Sequence, residues 1–147
     1  MTEQRLSEGL ALVSCIDPDA YTASTVIGDE IDMQLYDRLI CILMAGTLGS
    51  SATLDYKIRG TGTAGGVYVD LTGKAITQLT EAGTDSDKQA IIEVTAAEVK
   101  AQGYRYVKDS MTVGTATSDC GAIILGQLKR HVPASGSDLA SVDEIVT

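Results

Sequence analysis

Few residues in this chain have the types and spacing for chemistry, and the most suggestive are glycines. In "RGTGTAGG", Arg59 to Gly66, the residues Gly60, Gly62 and Gly65 satisfy G-x-G-x-x-G, the spacing that lets backbone approach a dinucleotide pyrophosphate. That chemistry needs a strand before the glycines and a helix after them, with the helix N-terminus facing the phosphates. Here the preceding stretch, "TLDYKIR", reads as a strand, and so does the following one, "VYVDL", which is β-branched and alternating. The glycines are therefore expected to join two strands. They supply positive φ in a chain that has no Asn to share the task, and no cofactor is expected on them.

Nucleophilic, acid-base and metal chemistry have little to work with. The one His, His131, lies in "LKRHVP" between basic residues and a Pro, the setting of a surface residue at a strand end. The three Cys, at positions 15, 41 and 120, are scattered and show no C-x-x-C spacing, so neither a disulfide framework nor a zinc site is expected. Spacing leaves a pairing of His131 with Cys41 or Cys120 open, but both Cys sit in apolar runs that would keep them as thiols. The D-x-D pairs in "DPDAY" and "DSDKQ" do not continue into a calcium loop. Tyr104 and Tyr106 in "YRYVK" fall on one strand face, where core or interface packing outweighs base stacking in so acidic a chain. No catalytic, cofactor-binding or metal-ligating residue is expected, and the chain reads as a non-enzyme.

The elements around these residues are strands. In "TLDYKIR" the residues Leu54, Tyr56 and Ile58 point one way and their neighbours the other. "VYVDL" repeats the pattern with Val67, Val69 and Leu71. The apolar run "LICILMA", Leu39 to Ala45, has the character of a central strand. Strands are expected near 39–45, 53–59, 67–71, 89–94, 104–114 and 121–130, with shorter ones in "GLALVSCI" and "DEIDM". "TAAEVKAQG", Thr95 to Gly103, has a Thr cap and a terminal Gly and predicts one or two helical turns. Strands at this spacing, joined by turns rich in Gly, Asp, Ser and Thr, predict a single all-β domain over 1–147. Its architecture is a jelly-roll-like antiparallel β-sandwich.

Composition agrees. Of 147 residues 44% are hydrophobic, with no Trp or Phe, so the core must be aliphatic with some Tyr. A net charge of -9 argues against direct nucleic-acid binding, which draws most of its affinity from basic patches. The longest apolar run is far short of a membrane span, and "MTEQRLSEGL" has no h-region, so neither membrane association nor a signal peptide is expected. The polar ends, 1–12 and 133–147, are spaced with apolar residues and are expected to be extended terminal arms. They are either frayed or ordered against a neighbour.

Three segments together resemble a known family: "GDEIDMQLYDRLICILMAGTLGSSATLDYKI", "ITQLTEAGTDSDKQAIIEVTAAEV" and "GYRYVKDSMTVGTATSDCGAIILGQLKRHVPA". In order and texture they are similar to the capsid cement, or head decoration, proteins of tailed bacteriophages, over roughly residues 29–134. The resemblance implies a β-sandwich on the outer surface of an icosahedral phage head, made in the host cytoplasm and carried on the virion. Its partners would be the major capsid protein and other copies of itself, as a dimer or trimer. Interface residues in the arms would be Leu6, Leu10 and Leu12 at one end and Leu139, Val142, Ile145 and Val146 at the other. The alternative is a carbohydrate- or protein-binding sandwich of a phage tail or fibre.

Overall fold

Alternation of apolar residues builds ten strands among the residues that the computed structural model describes, 5–130 and 133–147. These are β1 (Leu10–Tyr21), β2 (Ser24–Ile27), β3 (Ile31–Asp32), β4 (Tyr36–Ala45), β5 (Thr53–Thr61), β6 (Val69–Ala75), β7 (Leu79–Thr80), β8 (Gln89–Thr95), β9 (Tyr106–Gly114) and β10 (Ser118–Leu128). Two short helices, α1 (Leu6–Gly9) and α2 (Ala96–Ala101), and a 3₁₀ turn at Ala134–Ser137 complete the set. Thr95 caps α2 as expected, its hydroxyl accepting from the Glu98 amide while Glu98 bonds back to the Thr95 amide.

The strands form two antiparallel sheets, ordered β1-β10-β4-β8 and β2-β9-β5-β6, with β3 added to β9 and β7 to β5. Without those two-residue additions, the eight main strands pair from the outside inwards: first with last (β1 and β10), then β2 with β9, β4 with β8, and β5 with β6. This is one long hairpin rolled over itself, the jelly-roll connectivity that the sequence predicts. The core between the sheets is aliphatic: Leu39, Cys41 and Leu43 from β4, Leu54, Tyr56 and Ile58 from β5, and Val107, Met111, Val113, Val94 and Ile124 are all buried.

Several expectations need correction. "GLALVSCI" is not a short strand. It opens β1, which runs 12 residues and passes Pro18 through an irregularity between Ile16 and Asp19. A Pro is tolerated there because β1 lies at the sheet edge. The strand begins at Leu10, inside the expected N-terminal arm, so Leu10 and Leu12 belong to the sandwich and not to a free extension. The strand expected at 67–71 is β6, and of its three inward candidates only Leu71 is buried, while Val67 is 87% exposed and Val69 50%. Val67 falls before the strand, which starts at Val69 on the outer edge of its sheet, and the register shift comes later, between Asp70 and Ala75. "STVI" forms β2 although its single half-buried side chain, Val26, gave no periodic signal.

The C-terminal segment is folded back rather than extended. Ala134 is fully buried, and the Leu12 backbone, on the edge of β1 away from β10, is bonded twice: its amide donates to the Asp138 carboxylate (2.6 Å) and its carbonyl accepts from the Leu139 amide (2.9 Å). At the opposite edge of the same sheet, Lys74 Nζ donates to the Glu93 carbonyl of β8 (2.7 Å).

Candidate interaction surface

The two outer faces of the sandwich differ in chemistry. On the β2-β9-β5-β6 sheet the outward positions are polar and cross-linked. Lys57 and Arg59 both bind Asp70 (2.7 and 3.0 Å), Thr25 bonds Thr112 (2.9 Å), and Lys108 lies 5.0 Å over the Tyr68 ring. Such a face is the ordinary solvated side of an antiparallel sheet.

On the β1-β10-β4-β8 sheet the outward positions are aliphatic. Inward residues of β4 are Leu39, Cys41, Leu43 and Ala45, so Ile40, Ile42 and Met44 face out. Registry sets them in rows across the strands. One row reads Cys15, Ile123, Ile42, Ile91, and the next reads Leu12, Leu125, Ile40, Glu93. On one side lie Leu10, Gln127, Arg38 and Thr95, and on the other Gly121, Met44 and Gln89. Ile91 is 60% and Met44 55% exposed. Two shallow depressions flank the centre, one bounded by Leu10, Arg38, Ile40, Glu93 and Leu125, the other by Pro18, Asp19, Met44 and Asp119.

The expected interface residues divide between these surroundings. Leu10 and Leu12 join the aliphatic face through β1. Leu6 stands 81% exposed on α1. Leu139 and Val142 are half-buried, linked by a bond from the Val142 amide to the Leu139 carbonyl (3.0 Å). Ile145 and Val146 are exposed, 42% and 84%. Sequence reasoning missed Ile40, Ile42, Ile91, Ile123 and Leu125. Their signal was present, because an unbroken run such as "LICILM" must put apolar side chains on both faces of a strand.

The glycine-rich connection is spoken for within the chain. Gly65 has φ +64°, and its amide donates to the Glu30 carboxylate (2.8 Å), which also accepts from the Tyr68 hydroxyl. These two donors, the Tyr68 bond foremost, hold Glu30 below its usual range. The strand β6 follows the loop, with no helix to face a phosphate.

A second polar cluster is buried between the sheets. Asp109 is fully buried and accepts from the Tyr56 hydroxyl (2.8 Å) and the Ser14 hydroxyl (3.1 Å). Burial pushes its carboxyl above the usual range against the effect of both donors. Gly28 presses on it so closely that a Cβ there would lie 1.9 Å from Asp109 Oδ1. The cluster joins β1, β5 and β9 and is closed to solvent, which suits a structural tie.

Burial raises the Cys41 thiol, and the Cys120 thiol is pushed up to about 11. Cys15 is raised by burial and by its 3.4 Å contact with Asp17. His131 lies outside the described residues, so no pairing with it is drawn. Among the described residues no three His, Cys, Asp or Glu side chains gather as a metal site, and no helix is long and apolar enough to cross a membrane.

No protein-family model matches this chain, and no curated protein sequence matches it. Solved structures match it in fold. The VP2 subviral particle of infectious bursal disease virus gives a TM-score of 0.52 at 13% identity, over 86% of this chain and 34% of VP2, so this chain spans about a third of that protein. YomS, derived from the SPBc2 prophage, gives 0.40 at 14% identity over 75% of this chain and 94% of its own. The carbohydrate-binding module TmCBM61 gives 0.36 at 11% identity, over 72% and 66%. The likeness to VP2 is one of β-sandwich fold.

Proposed function

We propose that this chain is a structural, non-enzymatic virion protein, and specifically a cement protein of a tailed-phage head. It would bind the outer surface of the icosahedral shell where major capsid subunits meet, associate with copies of itself as a dimer or trimer, and engage neither DNA nor membrane directly. The observation that carries the reading is the aliphatic outer face of the β1-β10-β4-β8 sheet. A sandwich that leaves Met44 and Ile91 more than half exposed beside Ile40, Ile42, Ile123 and Leu125 has an interaction surface, since contiguous apolar patches mark such sites. The three-segment resemblance to cement proteins supplies the class of partner. The polar opposite face and the net charge of -9 keep the rest of the surface wettable once the aliphatic face is covered.

Clamping follows from repetition. A modest contact repeated over a closed lattice gives each clamp a high effective concentration, and the shell gains stability as a whole. Added after the shell reaches its mature form, such a protein strengthens connectivity that already exists. Particles lacking it should therefore assemble but release DNA at lower temperature or lower ionic strength, where repulsion within the packed genome is less screened. The test compares stripped particles, decorated particles and stripped particles given back the purified protein, with DNA release followed by dye fluorescence. Restored retention supports the proposal. Identical release curves, or a reconstruction that places the protein inside the shell or on the tail, sink it.

A further inference from the structure

The aliphatic face carries its charges unevenly along the strands. Among the described residues of its four strands the outward cation is Arg38, in the row with Leu10, Gln127 and Thr95; in the isolated chain Arg38 Nε sits 3.6 Å from the exposed Asp37. At the other end, past Met44, Asp19 and Asp119 are exposed and line one depression. Between the two ends lie the rows led by Ile40 and Ile42, the first ending in the exposed Glu93 at the β8 edge, which the crossing axis sets over Gln89 of the other copy. A face of this kind is complementary to its own copy in one orientation. A two-fold axis running along the strands would set Arg38 on Arg38 and aspartates on aspartates. An axis lying in the interface and crossing the strands sets each Arg38 over the other copy's Asp119 end, and lays the Ile42 row on itself.

We propose that two copies of this chain associate face to face through their β1-β10-β4-β8 sheets, about a two-fold axis that crosses the strands at the row Cys15, Ile123, Ile42, Ile91. The size is adequate: four strands about 4.8 Å apart and four rows about 6.8 Å apart give roughly 500 Å² per copy and about 1,000 Å² for the pair, the lower bound of a specific interface. Stacked sheets pack about 10 Å apart with interdigitating side chains, and Ile, Leu and Met are suited to that. Glu93, Gln89 and Gln127 stand around the aliphatic rows as a polar rim. This refines only the self-association part of the cement reading, fixes it at two copies, and leaves the shell contact to surfaces outside this face.

Sedimentation velocity across a micromolar concentration series tests it with the full chain. The wild type should show a monomer-dimer equilibrium. Ile91→Glu, at a position 60% exposed in the single chain, should leave circular dichroism and thermal unfolding unchanged and raise the dimer Kd by about 100-fold or more, because it buries an unpaired carboxylate. Arg38→Asp should raise the Kd by roughly 10-fold, and Arg38→Asp combined with Asp119→Arg should restore it. A wild type that stays monomeric, a trimer, an Ile91→Glu variant that still dimerises, or a charge swap that fails to restore the dimer each overturns the pairing. A monomer that still retains DNA in shells overturns the pairing alone. A dimer that does not bind shells overturns the cement reading alone.

Discussion

Replacing Tyr56 by Phe removes one hydroxyl and leaves the ring, so it isolates a single bond to the buried Asp109 carboxylate. That bond is 2.8 Å long, and once it is lost Ser14, at 3.1 Å, is the remaining side-chain donor to the carboxylate. A hydrogen bond to a charged acceptor contributes about 1.5–3 kcal/mol, and one to a neutral acceptor about 1 kcal/mol. The loss should therefore depend on whether Asp109 is ionised. Burial raises its carboxyl above the ordinary range, so the folded state favours the neutral form. The contribution of this group is fully present below the ordinary carboxylate value near 3.8 and is lost as pH rises through the raised folded value. The Tyr56 bond offsets part of that loss by favouring the ionised form. Tyr56→Phe should therefore cost about 1 kcal/mol at the acid end of that window, where Asp109 is neutral, and about 1.5–3 kcal/mol once the pH has risen past the folded value and the carboxylate is charged. Urea unfolding followed by far-ultraviolet circular dichroism over a pH series measures both values. In an Asp109→Asn background the cost of Tyr56→Phe should lose its pH dependence, which a double-mutant cycle reads directly. A cost that is equal at both pH values, or greater in acid, would refute the reasoning.

Gly65→Ala should destabilise by about 1 kcal/mol, since its φ is +64° with no atom within 4 Å of the added Cβ. Gly62→Ala should be close to neutral, because the nearest atom to its Cβ is 3.7 Å away; thermal unfolding of each variant tests both. Neither change, nor both with Gly60→Ala, should alter binding of NAD or ATP, because the wild type should show none by calorimetry. Removing residues 143–147 should shift stability by at most about 0.5 kcal/mol. Removing 134–147 should cost several times more, since it deletes the buried Ala134 and both partners of Leu12. In a native thiol-labelling time course on the dilute, monomeric chain Cys15 should react first and Cys41 and Cys120 only on unfolding, because those two are buried. Labelling of all three at one rate would contradict this.

The strands were most legible where one face is buried and the other is wet. In β5 the alternation of Leu54, Tyr56 and Ile58 with Asp55 and Lys57 reflects a sheet facing the core on one side only. The helix α2 was legible because Thr95 and Glu98 form a local capping box that needs no tertiary partner. The start of β1 was not. Leu10 to Val13 take their strand conformation from β10 and from the returning C-terminal segment, both more than 100 residues away, and Asp17, Pro18 and Asp19 conceal its second half. The inward positions of β6 were misplaced because the strand starts only at Val69, on the outer edge of its sheet, which leaves Val67 ahead of it and both valines exposed. The candidate surface was legible only as an unexplained excess. "LICILM" holds more apolar residues than one face of a strand can bury, and which of them are left outside is settled by registry with "AIILG" and "AIIEV".

The closing of both sheet edges has a further consequence. A jelly roll with a bare outer strand offers unpaired amides and carbonyls on which another chain can add a strand, and each addition exposes a new edge for the next. Here Asp138 and Leu139 occupy the β1 edge at Leu12, and Lys74 takes the Glu93 carbonyl at the β8 edge. Strand addition at those positions of this sheet is hindered on both sides, and its aliphatic face is a surface of finite area that is used up once it is covered. Association through that face gives bounded complexes rather than fibres, and Asp138 and Leu139, a few residues after Pro133, together with Lys74, contribute to that limit.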